Sequence, residues 1–513
     1  MTIALIQTDP GEGATTVEQR DPGGRRVLSQ ALTTLDQPTG ATPTASASPG
    51  ARAPLPPPPP DKESPRPSTT PARNAAPGPA RPAVTDDRGY PLTTTPEAAA
   101  LYNQGVHCIL GLRRGHASLI GQAVEADPTF ALGHAARALL AHELCTPGVV
   151  PDELYLAGLY AEKATERERS HVNAITGHIR GHRQALVEHV RRHPGDALLL
   201  NSILPTIVFS GAVEVPQEAW AIVEAAAPAY SEDDWWFLGT LSFVRQEQLR
   251  FDEAMDLALR SLALEPAGGH AAHSRAHTHY ETGDHVAGLE FMSAWVLGPG
   301  AEADPIDHLA WHAAAHELSL GDVAAVRRRF ETQLNPARMT GCRALVDGGQ
   351  LLFRWAVTPG AGPAPDLRQV AELVGRDALT HPLTPFHAYH AACVLAGLKD
   401  VAGLAALAAW AAGRRQPTFR EAVAPLAEAL GEWAAGRPGR AADRLAAVAP
   451  QVRRLGGSDA QREILEEARL ATLIEAERWA EARIVLDARL SRRHAPRDVA
   501  WRAWVDQRAG ASG

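Results

Sequence analysis

The strongest constraint on the fold is a run of short amphipathic segments that begins near Asp86 and continues towards the C-terminus. These segments are rich in Ala and Leu, and breaks containing Gly, Pro or Asp separate them. Their apolar residues recur with helical spacing, and no convincing strand-like alternation of apolar and polar residues interrupts them. The sequence from Asp86 onward is therefore predicted to be all-α.

A degenerate repeat groups the predicted helices into pairs. Pro128, Pro194 and Pro266 each end a helical segment, and they are separated by 66 and 72 residues, close to two units of about 34 residues. Before Pro266, the small residues Ala254 and Ser261 have the spacing of the second helix of a tetratricopeptide unit. These features predict a right-handed superhelical solenoid of degenerate tetratricopeptide-like helix pairs.

The N-terminal part has a different composition. Residues 1–85 are dominated by Pro, Thr, Ser, Ala and Gly and include the run PLPPPPP at 54–60. Such a segment buries too little apolar surface to offset its chain entropy, so it is predicted to be a disordered tail. Residues 86–513 are predicted to form the repeat domain, with a soft break near 358–365 (TPGAGPAP).

Composition excludes several classes of function. The formal net charge of −9 provides no basic surface for nucleic acid. No apolar run of about 20 residues is present, so no membrane span is expected. The four cysteines are scattered and form no C-x-x-C pair, a pattern that fits a reducing compartment. We expect a cytoplasmic protein without a nucleic-acid or membrane partner.

Histidines are concentrated in one stretch. Eight of the 21 histidines lie between His270 and His316. His273 and His277 are four residues apart on one predicted helix, and His308 and His312 are four apart on another. At about 100° per residue, each pair occupies one helix face.

Two capping patterns support the helix assignments. In TTTPE, Thr95 is a suitable N-cap and Pro96 suits the first helical position. In GGSDAQ, Ser458 and Gln461 have the spacing of a capping box. Capping explains the second motif without requiring an anion at its glycines.

The order of motifs resembles the tetratricopeptide repeat protein 38 family over about residues 86–500. The matching blocks are PLTTTPEAA (from 91), ADPTFALGHA (126–135), TERERSHVNAI (165–175), HPGDALLL (from 193), AHSRAHTHYETGDHVAGLEFM (272–292), HLAWHAA (308–314) and RRLGGSDAQRE (453–463). The resemblance implies a solenoid of degenerate helix pairs but no assigned reaction. The family pattern has counterparts of His273, His277, His279, His308, Trp311 and His312, whereas His270 and His316 depart from it.

Three interpretations of the histidine faces remain open. The first helices of successive units lie side by side in a solenoid, so the two faces could meet and supply up to four imidazoles to one metal ion. They could instead line a ligand groove, or the imidazoles could bond structurally between tightly packed helices. The candidate residues are His273, His277, His308, Trp311 and His312. HAAAHE at 312–317 is not the H-E-x-x-H signature of metalloproteases.

The leading hypothesis is a helical-repeat interaction protein that binds a peptide segment or small ligand in its concave groove. A protein or peptide partner is expected, and no residue is assigned a catalytic role. The alternative is a metal-binding protein or enzyme that uses the histidine-rich site on adjacent helices. The sequence leaves the metal and any other cofactor open.

Overall fold

The computed structural model describes residues 84–511 except 144–146, 181, 205–216, 305, 337–338 and 340–342. It also describes two strands, β1 (Gln19–Arg20) and β2 (Arg26–Val27), which pair antiparallel within a unit of residues 11–83. The predicted disordered tail, residues 1–85, otherwise lies almost entirely outside the described residues.

The all-α prediction is confirmed for the described residues from 84 onward, which form 24 α-helices. The N-terminal helices are α1 (Pro96–Leu110), α2 (His116–Ala126), α3 (Ala131–Glu143), α4 (Val150–Ala161), α5 (Glu166–Ile179), α6 (Arg183–Arg192), α7 (Ala197–Leu204), α8 (Gln217–Ala226), α9 (Trp235–Glu247), α10 (Phe251–Leu264), α11 (Gly269–Thr282) and α12 (His285–Leu297). The C-terminal helices are α13 (Ile306–Leu320), α14 (Val323–Thr332), α15 (Gln350–Val357), α16 (Arg368–Val374), α17 (Arg376–Thr380), α18 (Pro385–Gly397), α19 (Val401–Ala412), α20 (Ala424–Ala434), α21 (Pro438–Val448), α22 (Asp459–Glu475), α23 (Trp479–Arg492) and α24 (Pro496–Ala511).

Five shorter helical segments lie wholly within the described residues. Three are 3₁₀ segments, at Pro147–Val149, Ala227–Ala229 and Ala449–Leu455. Two are π-helical, at Ala344–Gly349 and Phe419–Val423. The predicted soft break, residues 358–365, is the non-helical connection after α15, and the chain on both of its sides belongs to one compact unit.

Both capping predictions are confirmed. The Thr95 side chain accepts a hydrogen bond from the Ala98 amide, with Pro96 at the first helical position of α1. Ser458 and Gln461 form a reciprocal capping box at the start of α22. Each cap satisfies amides that the first turn of a helix leaves without an intrahelical partner.

Helix contacts follow two patterns. Neighbouring helices along the chain pack against each other, and alternate helices also meet, as α9 does with α11 and α11 does with α13. In addition, α22 packs against α11 and α15, and α24 packs against α13. The C-terminal helices therefore cover the helices that carry the histidine faces.

Apolar packing fixes the other sides of these helices. Ala272, Ala276, Met292, Leu309 and Ala313 belong to one buried cluster shared by α11, α12 and α13. Small residues at such positions allow helix backbones to approach closely. Among the described residues, no helix combines the length and apolar character that crossing a membrane requires.

Candidate functional site

The two histidine faces meet in the interior of the protein. His273 and His277 project from α11, and His308 and His312 project from the neighbouring helix α13. The exposed fractions of these four side chains are 2–3%, and that of Trp311 is 1%. A ligand that contacts these five residues must therefore be small.

The imidazole nitrogens are close together. His273 Nε2 lies 3.1 Å from His277 Nε2 and 3.1 Å from His308 Nε2. One ring nitrogen from each of His273, His277 and His312 lies within 4.8 Å of the other two. Three of the four predicted histidines thus converge on a common centre, and the fourth contacts that centre through His273.

Asp347 orients one of these rings. This residue lies in the π-helical segment Ala344–Gly349, and its Oδ1 accepts a hydrogen bond from His308 Nδ1 at 2.9 Å. Because a neutral imidazole carries one proton, the bond to Asp347 leaves a lone pair on His308 Nε2. That lone pair is directed at His273.

Hydrogen bonds among neutral imidazoles cannot satisfy the whole cluster. A proton on His273 Nε2 can form a linear hydrogen bond to His308 or to His277 but not to both. One of the two 3.1 Å contacts between ring nitrogens therefore has no hydrogen bond. His277 Nδ1 and His312 Nε2 are also buried without a hydrogen-bond partner. Buried polar atoms in folded proteins are nearly always paired, so these unpaired nitrogens call for an explanation.

Three histidines of the cluster, His273, His277 and His312, are uncharged at neutral pH. Burial, together with the nearby His308, lowers the pKa of His277 to about 3. Burial and the neighbouring imidazoles hold the pKa of His273 and of His312 well below the ordinary value. These three imidazoles are therefore in the neutral form that binds metal ions.

Trp311 forms an aromatic wall beside the histidines. Its ring is stacked with that of His308 at a centroid distance of 6.0 Å and an interplanar angle of 5°. The same ring meets His312 edge-on at 5.0 Å. Trp311 thereby restricts the rotation of both imidazoles on α13.

Neighbouring histidines lie outside this centre. His316 pairs with His285 of α12, their Nδ1 atoms 3.1 Å apart, and both rings contact Tyr280. His279 lies beside Asp284 instead, with 3.4 Å between His279 Nδ1 and a carboxylate oxygen. Sequence analysis missed Asp347 and His285. The signal for Asp347 was a carboxylate within the apolar segment ALVDGG.

A second buried group has a different chemistry. Asp196 Oδ2 accepts hydrogen bonds from His171 Nδ1 at 2.7 Å and from His189 Nε2 at 3.0 Å, and it pairs with Arg167 at 2.6 Å. Burial alone would raise the pKa of Asp196, but His171 and Arg167 hold it well below the usual value. These donors satisfy the carboxylate oxygen, and the guanidinium repels a cation.

Buried ion pairs hold α22 over the site. Arg354 of α15 donates to Glu467 at 2.8 and 3.0 Å and to Glu463 at 3.1 Å. The Tyr280 hydroxyl of α11 donates to Glu463 at 2.6 Å. Buried charges with several partners strongly favour one arrangement of the helices around them.

Fold and site together define an all-α protein with a closed cluster of histidines between two helices. No model of a known protein family matches the chain.

Proposed function

We propose that this protein binds a transition-metal ion through His273, His277 and His312. The observation that carries this proposal is the convergence of three buried ring nitrogens within 4.8 Å of one another. A metal ion would accept the lone pairs that hydrogen bonds cannot all satisfy. This function corresponds to the alternative hypothesis from the sequence.

The spacing of the nitrogens supports this proposal. A tetrahedral zinc ion with Zn–N distances of about 2.0–2.1 Å separates its nitrogen ligands by roughly 3.3 Å. The His273–His277 distance is 3.1 Å. Imidazole ligands suit Zn²⁺, Ni²⁺ and Co²⁺. His308 is the candidate fourth ligand, and Asp347 would orient it as carboxylates orient metal-bound histidines.

Elemental analysis of the full chain, purified without a polyhistidine tag, tests the proposal. We expect about one metal ion per chain, with binding abolished by His277→Ala and by His312→Ala. His171→Ala is the matched control, because it removes a buried histidine from the Asp196 group. Metal content that is unchanged in both cluster variants, or that falls equally in the control, would refute the proposal.

We further propose that the helices form the right-handed superhelical solenoid of tetratricopeptide-like pairs that the sequence predicts. The contacts between alternate helices α9, α11 and α13 support this arrangement. Membership of the tetratricopeptide repeat protein 38 family and cytoplasmic localisation remain predictions alongside it. Small-angle scattering tests the superhelix, since a globular bundle would give a smaller radius of gyration.

A protein or peptide partner remains a second candidate function. Solenoid proteins present extended surfaces to partners. Several large apolar side chains of this protein are exposed. Tyr155, Leu297 and Ile484 have exposed fractions of 69%, 76% and 68%. A peptide pull-down with the full chain tests this function.

A further inference from the structure

A cavity of about 420 Å³ lies beside α22 and α23 and extends to Glu281 of α11. Its volume falls within the range of small-molecule sites, which is about 300–1,000 Å³. One wall is apolar and includes Leu445, Val448, Leu465 and Val485. Charged side chains, mostly arginine and glutamate, form the remainder.

Glu281 contributes an unsatisfied atom to this cavity. The exposed fraction of the residue is 8%, and its Oε2 accepts a hydrogen bond from Arg493 at 2.6 Å. Its Oε1 is buried and has no hydrogen-bond partner. Burial raises the pKa of Glu281 to about 7, so the protonated form, which can donate a hydrogen bond, is well populated near neutral pH.

The cavity also has uncompensated positive charge. Four of its arginines pair with carboxylates: Arg462, Arg489, Arg492 and Arg493. Within the described part of the chain, the guanidinium groups of Arg453 and Arg469 have no ion pair, and Arg469 Nε is buried without a hydrogen-bond partner. Arginine commonly binds carboxylates through such free N–H groups.

We infer that this cavity binds a small amphiphilic carboxylate, with its anionic group at Arg453 and Arg469 and its apolar body against the wall of α21 and α22. The unsatisfied carboxyl of Glu281 provides a further hydrogen-bonding group inside the cavity. Burial of an alkyl chain against Leu445, Val448 and Leu465 would contribute the hydrophobic part of the affinity. This site is separate from the histidine cluster, and the inference does not depend on a bound metal.

Isothermal titration of the full chain with octanoate and octylamine tests the inference. The two probes share an apolar body and differ in the sign of their charge. We expect octanoate to bind with about one site per chain and octylamine to bind much more weakly, because the cavity has excess arginine. Octylamine binding that equals octanoate binding, or no octanoate binding at millimolar concentration, would overturn the inference.

Substitutions then locate the anion. Arg453→Gln and Arg469→Gln should each weaken octanoate binding roughly tenfold, which is typical for loss of one charge-assisted hydrogen bond. Arg453 is exposed, so its substitution preserves the fold even if the half-buried Arg469 does not tolerate change. Arg444→Gln is the control, because Arg444 lies on α21 outside the cavity and pairs with the exposed Glu428. Wild-type affinity in both cavity variants would contradict the inference.

Discussion

The Nε2 atoms of His273 and His308 lie 3.1 Å apart, although the two residues are 35 positions apart in the sequence. Each residue belongs to an i, i+4 histidine pair, and the contact between them brings the two pairs together. Because His308 also donates to Asp347, its orientation is determined before any ligand binds. Pre-orientation of this kind lowers the cost of binding a metal ion.

Asp347 should control metal affinity without binding the metal itself. Asp347→Asn removes the negative charge that fixes the tautomer of His308, so we expect affinity for Zn²⁺ to fall about 10–100-fold. Competition with a chromophoric chelator measures this change. Asp377→Asn, at an exposed carboxylate on α17, should leave the affinity unchanged. Equal affinity in the two variants would show that Asp347 does not influence metal binding.

Arg354 should be important for stability. Its removal leaves Glu463 and Glu467 buried beside fewer positive charges. We expect Arg354→Met to lower the free energy of unfolding by about 3–5 kcal/mol, as measured by urea denaturation. Arg483→Met, at an exposed pair with Asp506, should have little effect on stability. A small effect at Arg354 would mean that the network contributes little to the packing of α22.

His390 should make stability depend on pH. Burial lowers its pKa to about 3 in the folded protein, whereas an unfolded histidine has a pKa of about 6.5. As the pH falls below 6.5, the unfolded state takes up a proton that the folded state does not, so stability decreases. Between pH 7 and pH 5 this group alone should lower the free energy of unfolding by about 2 kcal/mol.

The variant His390→Leu isolates that contribution. From pH 7 to pH 5 the free energy of unfolding should decrease in this variant and in the wild type, but the decrease should be about 2 kcal/mol smaller in the variant. Urea denaturation at the two pH values provides the comparison. His381→Leu serves as the control, because His381 is half exposed. If His390→Leu and the wild type lose the same stability, His390 is not the responsible group.

Two glycines should respond to alanine in opposite directions. At Gly288 of α12, an added Cβ would overlap the His316 ring and lie 2.9 Å from His279 Cβ. Gly288→Ala should therefore destabilise the protein by about 1–3 kcal/mol. At the exposed Gly158 of α4, the added Cβ meets nothing within 4 Å, so Gly158→Ala should stabilise the helix by roughly 0.5–1 kcal/mol. Thermal and urea unfolding of both variants measure the difference.

The helices and their ends could be predicted because their causes are local. Thr95 and Ser458 start helices through bonds to amides three residues away. The shared face of His273 and His277 follows from the turn of one helix. Such relationships depend on a few consecutive residues, so periodicity and capping chemistry determine them.

By itself, the sequence thus determined an all-α chain and two histidine-bearing helix faces. Only the tertiary structure decided that these faces meet, that Asp347 orients His308, and that α22 covers α11. The ion pair between Arg354 and Glu467 spans 113 positions of the chain. No local periodicity specifies such contacts. They form only when many helices pack together, because each buried charge must find a partner on another helix.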